Sequence, residues 1–178
     1  GEFFQVTSAD RETPLNAWMI RPPEFDTGRE HPLLMYVYGG PGIQTVMDAW
    51  GGTRLLWHHL MASRGFLVAS VDNRGTGARG RSFYKQVYLR LGQLETADQL
   101  AAARQLSSRP EVDPDRVGIW GWSYGGYMTL LTTLNSRGAI DAAVSVAPVT
   151  HWKFYDTVYT ERYMRTPAEN PDGYRKGS

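Results

Sequence analysis

The sequence contains no cysteine. This excludes disulfide bridges, zinc–thiolate sites and a thiol nucleophile, and fits the bacterial periplasm as well as the cytoplasm, since an exported protein need not carry disulfides. No charge of one sign predominates: 19 Lys and Arg face 18 Asp and Glu, for a formal net charge of +1. Such a balance gives no electrostatic basis for a nucleic-acid or acidic-membrane partner. No apolar run approaches the ~20 residues of a membrane span. Gly1-Glu2-Phe3-Phe4 has no basic stretch leading into a long apolar one, so the start is not read as a signal peptide but as the middle of a longer chain. Repeats, low-complexity tracts and N-x-Ser/Thr acceptor sites are also absent. What remains is 178 residues with 42% hydrophobic content, enough for one domain with its own core.

Apolar periodicity divides the chain into alternating elements. Phe3 to Thr7 and Leu15 to Ile20 flank the polar stretch 8–14 and predict a hairpin, ended by Arg21-Pro22-Pro23. Residues 32–38, 66–71, 116–120 and 142–147 are short, nearly continuous apolar runs, the pattern of strands buried on both faces. Helical spacing occupies 53–63, 94–107 (with one apolar face) and 123–135. Strands alternating with helices predict a mainly parallel sheet with helices on both faces. Residues 73–93, rich in Gly and Arg, are expected to be a long connection within the same domain. In the tail, Tyr155, Tyr159 and Tyr163 fall at helical spacing. They are readable as a core-facing stripe or as a pocket wall.

Chemistry concentrates at Gly121-Trp122-Ser123-Tyr124-Gly125. This G-x-S-x-G follows an expected strand and opens an expected helix, the context that a nucleophile elbow requires. The helix N-terminus adds positive potential where an oxyanion would form. Tyr38-Gly39-Gly40-Pro41-Gly42 follows the first of the longer strands, where the second oxyanion donor of such an arrangement sits. Gly75-Thr76-Gly77-Ala78-Arg79-Gly80 matches a dinucleotide fingerprint by letter, but Arg81-Ser82-Phe83-Tyr84 opens no clean amphipathic helix, so no cofactor follows from it. A nucleophilic serine needs a histidine base and an orienting carboxylate, in the order Ser, acid, His for an elbow of this kind. The only histidine after Ser123 is His151, which comes too soon. His31, His58 and His59 precede the serine and read as surface or helix-face residues. The chain is therefore expected to stop before its own acid and base.

With these blocks in hand, the sequence resembles the catalytic α/β-hydrolase domain of the prolyl oligopeptidase family, in its dipeptidyl peptidase IV branch. The resemblance runs over almost the whole chain and rests on residues 36–41, 71–77, 121–127, 147–149 and 155–164, the last block being Tyr-Asp-Thr-Val-Tyr-Thr-Glu-Arg-Tyr-Met. It implies an α/β-hydrolase sheet lacking its last two strands over residues 1–178, with the family's β-propeller absent. It implies Ser123 as nucleophile, the Tyr38 hydroxyl and the Tyr124 backbone N–H as oxyanion donors, and Val149, Trp152, Tyr155 and Tyr159 as walls of a pocket for proline. The triad Asp and His are not in this chain. The implied activity is release of N-terminal X-Pro or X-Ala dipeptides from a peptide substrate, with no metal or other cofactor, by a full-length enzyme that could form a homo-oligomer. The rivals are an acylaminoacyl peptidase or esterase on the same fold, and a non-catalytic binding or assembly fragment.

Overall fold

The computed structural model describes all 178 residues. β1 (Glu2–Thr7) and β2 (Pro14–Ile20) form the expected antiparallel hairpin, with Glu2 opposite Met19 and Thr7 opposite Pro14. β3 (His31–Tyr36), α1 (Gly52–Ser63) and β4 (Leu67–Val71) follow, then the short α2 (Arg81–Tyr84). α3 (Gln93–Ser107), β5 (Val112–Trp122), α4 (Tyr124–Leu134) and β6 (Ala142–Val146) complete the alternation. The tail folds as a 3-10 turn at Trp152–Phe154, α5 (Thr157–Met164) and α6 (Pro171–Lys176).

The six strands form one sheet in the order β1-β2-β4-β3-β5-β6. β4, β3, β5 and β6 run parallel to one another, and the β1–β2 hairpin joins β4 through antiparallel pairing. Alternation along the strands divides the core between the two faces. Leu33 and Met35 of β3, Ala69 of β4 and Ile119 of β5 pack with Ala102, Ala103 and Leu106 of α3 and with Tyr127 and Met128 of α4. Leu34 and Val68 point the other way, against Leu55, Met61 and Ala62 of α1. Helices thus cover both faces, but unequally: the large cluster lies under α3 and α4, and α1 alone covers the other.

Several expectations need correction. β5 extends further at both ends than the apolar run 116–120, because Val112 pairs with His31 ahead of an irregularity in the ladder and Gly121 and Trp122 pair with Ser145 and Val146 of β6. α3 is not a helix with one apolar face: Glu95, Asp98 and Gln99 are fully buried beside Leu100 and Leu106. His31 and His58 are not surface residues. His31 is buried with its ring nitrogens on the Gly65 and Asp26 carbonyls, 3.1 and 3.4 Å away. His58 lies on the sheet side of α1 among Trp18, Tyr36 and Trp120, where burial lowers its pKa to about 4 and keeps it neutral. Tyr155 precedes α5, because Asp156 caps that helix by accepting the Tyr159 N–H, so only Tyr159 and Tyr163 share the helical stripe. No helix is long and apolar enough to cross a membrane.

β6 closes the sheet on one side with a single neighbour, β5. Its residues Ala142, Ala143 and Val144 are exposed, Val144 at 60%. An unpaired edge with exposed apolar side chains is a template for another chain. The 178-residue polypeptide made alone is therefore expected to self-associate. Sedimentation equilibrium over a concentration series checks this, and a monomer at every concentration would show that the edge is inert.

Candidate active site

The turn between β5 and α4 is set by glycines. Ser123 has φ +60 and ψ −117, in the left-handed half of backbone space that side chains rarely occupy. A Cβ on Gly121 would fall 2.3 Å from the Gly125 oxygen and 2.5 Å from the Val37 oxygen, and one on Gly125 would fall 2.2 Å from the Val37 oxygen. Only glycine lets α4 approach the end of β3 this closely. The Ser123 N–H donates to the Val146 oxygen at 2.9 Å, which ties the elbow to β6, and its carbonyl accepts the Tyr127 N–H at 3.0 Å. Ser123 itself is half-buried and reachable, whereas Tyr124 is enclosed. As the first residue of α4, Tyr124 has no preceding turn whose carbonyl its N–H could reach.

Tyr38 follows β3 at the same end of the sheet, and its ring lies 6.0 Å from that of Tyr124. Its hydroxyl makes no hydrogen bond within the protein. Burial, with neighbouring Tyr155 adding to it, raises its pKa and keeps the phenol protonated as a donor. Gly40 fits between the two rings: a Cβ there would meet Tyr38 Cε1 at 2.7 Å and Tyr124 Cγ at 2.8 Å.

The expected pocket residues come together as one aromatic assembly. Trp152 is almost fully buried, 5.5 Å from Tyr124 and 5.1 Å from Tyr127 between ring centroids. Tyr159 stacks on it at 6.0 Å, Tyr155 meets it edge-on at 6.0 Å, and Tyr155 and Tyr159 stand 5.5 Å apart. Val149 packs against the same core. Tyr163 extends the row, 4.9 Å from Tyr159, and its hydroxyl accepts from that of Tyr84 at 3.2 Å; burial, with this bond adding to it, raises the Tyr84 pKa to about 12.

None of the four histidines is hydrogen-bonded to Ser123. His151 uses Nδ1 to accept the Lys153 N–H at 3.1 Å, and the other three are placed as described above or lie exposed on α1. The letter match at 75–80 packs against neighbouring protein at two of its glycines and opens no long helix. A Cβ on Gly77 would strike the Gly42 oxygen at 2.7 Å, one on Gly75 the Val87 side chain at 2.6 Å, and the helix that follows has only four residues.

A polar layer lies beneath the site. Arg74 grips Asp98 through Nε at 2.9 Å and Nη2 at 2.7 Å, and its Nη1 reaches Asp10 in the hairpin turn. Asp72 accepts the Thr45 and Val46 N–H groups, both at 2.9 Å. One Glu95 oxygen accepts hydrogen bonds from the Tyr124 O–H at 2.8 Å and the Gly92 N–H at 3.0 Å, leaving its other oxygen buried without a partner. Asp72, Asn73 and Arg74 lie in the 71–77 block that carries the resemblance and follow a buried strand directly, whereas the only signal for 95, 98 and 99 is that they share a helix face.

A sequence model of the prolyl oligopeptidase family matches residues 56–178. The chain belongs to that family. A probable dipeptidyl-aminopeptidase B of Fusarium vanettenii is 48% identical over 155 residues, 86% of this chain and 17% of its own length. A probable dipeptidyl peptidase 4 of Neosartorya fischeri is 45% identical over 175 residues, 97% of this chain and 22% of its own. The crystal structure of Porphyromonas gingivalis dipeptidyl peptidase 4 superposes with a TM-score of 0.93 at 47% identity, covering 99% of this chain and 25% of that one. The fold is thus the α/β-hydrolase fold of prolyl oligopeptidase family members, and the chain spans about a quarter or less of the length of these relatives.

Burial raises the Glu95 pKa from 4.5 to about 7, against the opposing effect of its hydrogen bonds. The folded state therefore holds this proton more tightly than the unfolded state does. The stability from the neutral carboxyl is complete below pH 4.5 and is lost as pH rises towards about 7, a difference on the order of 3 kcal/mol. Glu95→Gln removes the titration, so the gap in unfolding free energy between wild type and variant is expected to shift in the variant's favour from pH 4.5 to 7.5. Urea unfolding at the two pH values checks this; a constant gap would place the Glu95 pKa near its ordinary value.

Proposed function

We propose that this chain carries the nucleophile, the oxyanion donors and the proline pocket of a serine exopeptidase that releases X-Pro or X-Ala dipeptides from the amino end of peptides. The observation that carries the reading is the strained Ser123 between β5 and α4, with Tyr38 and the first N–H of α4 at the same end of the sheet. In this reading the Ser123 Oγ attacks the scissile carbonyl, and its proton passes to a histidine supplied by residues outside these 178. The carbonyl electrons move onto oxygen, where the Tyr38 O–H and the Tyr124 N–H hold the negative charge in a fixed arrangement. Collapse expels the amine of the remaining peptide, which takes the proton, and leaves the dipeptide as an ester on Ser123. Water then hydrolyses the ester by the same route in reverse.

The pocket supports a compact apolar ring. Tyr155 and Tyr159 would offer faces and edges with Trp152 packed behind them and Val149 as an aliphatic wall, and proline would bury its ring there without leaving a polar group unpaired. The relatives, named dipeptidyl-aminopeptidase and dipeptidyl peptidase, support a dipeptide as the acyl unit that is released on hydrolysis.

The test uses the full-length protein and a chromogenic panel: Ala-Pro and Gly-Pro anilides against an N-acetylated alanine anilide and a simple ester. Preference for the free-amine X-Pro substrates is expected. Ser123→Ala should reduce turnover to the residual level left by binding and the oxyanion site. Tyr38→Phe, which deletes one donor, should lower kcat by about 10²–10³-fold with little change in KM. Preference for the blocked substrate would replace the exopeptidase with an acylaminoacyl peptidase, and full activity in Ser123→Ala would remove the nucleophile assignment.

A further inference from the structure

Tyr38 is followed at once by Gly39 and Gly40, the most freely rotating pair a chain can contain. An oxyanion donor on such a segment needs something to hold the segment still, because a displacement of about 1 Å at a reacting centre costs on the order of 10²-fold in rate. The loop has such a clamp. Asn73, just beyond the end of β4, is fully buried, and its Nδ2 donates to the Gly39 oxygen at 3.0 Å and to the Arg74 oxygen at 2.8 Å. Gly39 has φ +74, and a Cβ there would lie 2.9 Å from Asn73 Oδ1, so the two residues are in direct contact. The amide cannot turn over. Its Oδ1 accepts from Gln99 Nε2 at 2.9 Å, and the second hydrogen of that nitrogen goes to the Val71 oxygen at 2.8 Å. Gln99 is fully buried on α3. A relay of three hydrogen bonds therefore runs from the end of β4, through α3, to the peptide joining Gly39 to Gly40. Gly40 in turn fills the gap between the Tyr38 and Tyr124 rings.

We propose that Asn73, oriented by Gln99, is a positioning residue that fixes the Gly39–Gly40 peptide and through it the Tyr38 hydroxyl at the oxyanion site. The inference rests on the reading of Tyr38 as an oxyanion donor and adds what places it. Asn73 touches neither substrate nor nucleophile, so its contribution appears only through Tyr38.

The experiment compares Asn73→Asp, which keeps the shape and replaces the Nδ2 donor with an acceptor, in wild-type and Tyr38→Phe full-length protein at pH 8. In the wild type, kcat for an Ala-Pro anilide is expected to fall on the order of 10- to 100-fold with KM within about threefold. Affinity for a dipeptide boronic acid, which forms a tetrahedral adduct on a serine oxygen, should fall by a similar factor, and inhibition by a plain X-Pro dipeptide should not change. In the Tyr38→Phe background the same substitution should cost less than about twofold, because the group it positions is gone. Gln99→Met, which releases Asn73 without adding charge, should show the same pattern at smaller size, and it decides the matter if Asn73→Asp does not fold. An unchanged kcat, a change in KM alone, or an equal loss in both backgrounds would overturn the inference. Those outcomes leave the proposed function standing. Full activity in Ser123→Ala would instead strike the function, and full activity in Tyr38→Phe would remove the donor assignment on which this inference rests.

Discussion

Gly121 and Gly125 bring α4 against the end of β3 at a separation that no side chain permits, with the Val37 oxygen where either Cβ would stand. Much of the site depends on that contact. It sets Ser123 in its strained conformation, directs the Ser123 N–H to Val146 of β6, and lays the Tyr124 ring beside Gly40 and Tyr38. The ends of β3, β5 and β6 therefore meet at one point, and residues more than 80 positions apart in sequence face each other there. A larger residue at either glycine would push the helix away and dissolve the arrangement, whatever the chemistry of the serine.

Beneath this point lies a layer that a simple hydrophobic core would lack. Glu95, Asp98 and Gln99 project from one face of α3 and bond to Tyr124 and Gly92, to Arg74, and to Asn73 and Val71, while one Glu95 oxygen and the Gln99 Oε1 stay buried without a partner. Burying such groups is costly unless each finds a partner, so their value lies in direction rather than in net stability. Hydrogen bonds have angles where apolar contacts do not, and these bonds aim at the loops after β3 and β4. The tail adds a second wall. The Tyr127 hydroxyl donates to the Gly177 oxygen at 2.6 Å, which ties down the end of α6, and the Leu89 N–H donates to the Tyr163 oxygen at 2.8 Å and Asn170 to the Met164 oxygen at 3.0 Å, which tie down α5.

Periodicity places the strands and the three main helices, but not the short helices α2 and α6 or the bounds of α5. The hairpin, the four further strands and the three main helices are legible because apolar side chains on strands and helices repeat with different periods, and Gly121 to Gly126 marks the elbow by its letters. The nucleophile, the oxyanion loop and the tyrosine block are local in sequence, and local patterns survive without coordinates. What tertiary structure alone decided is everything that depends on two distant segments meeting. Polar residues at 95, 98 and 99 look like a solvated helix face, and they are buried only because loops from β3, β4 and the hairpin turn close over them. His58 looks like a surface residue until the sheet supplies Tyr36 and Trp120. Tyr155 fits a helical spacing, but Asp156 caps the helix one residue later. Hydrophobic pattern reports whether a side chain avoids water; which polar group finds its partner is settled by long-range geometry, and sequence spacing carries no measure of that distance.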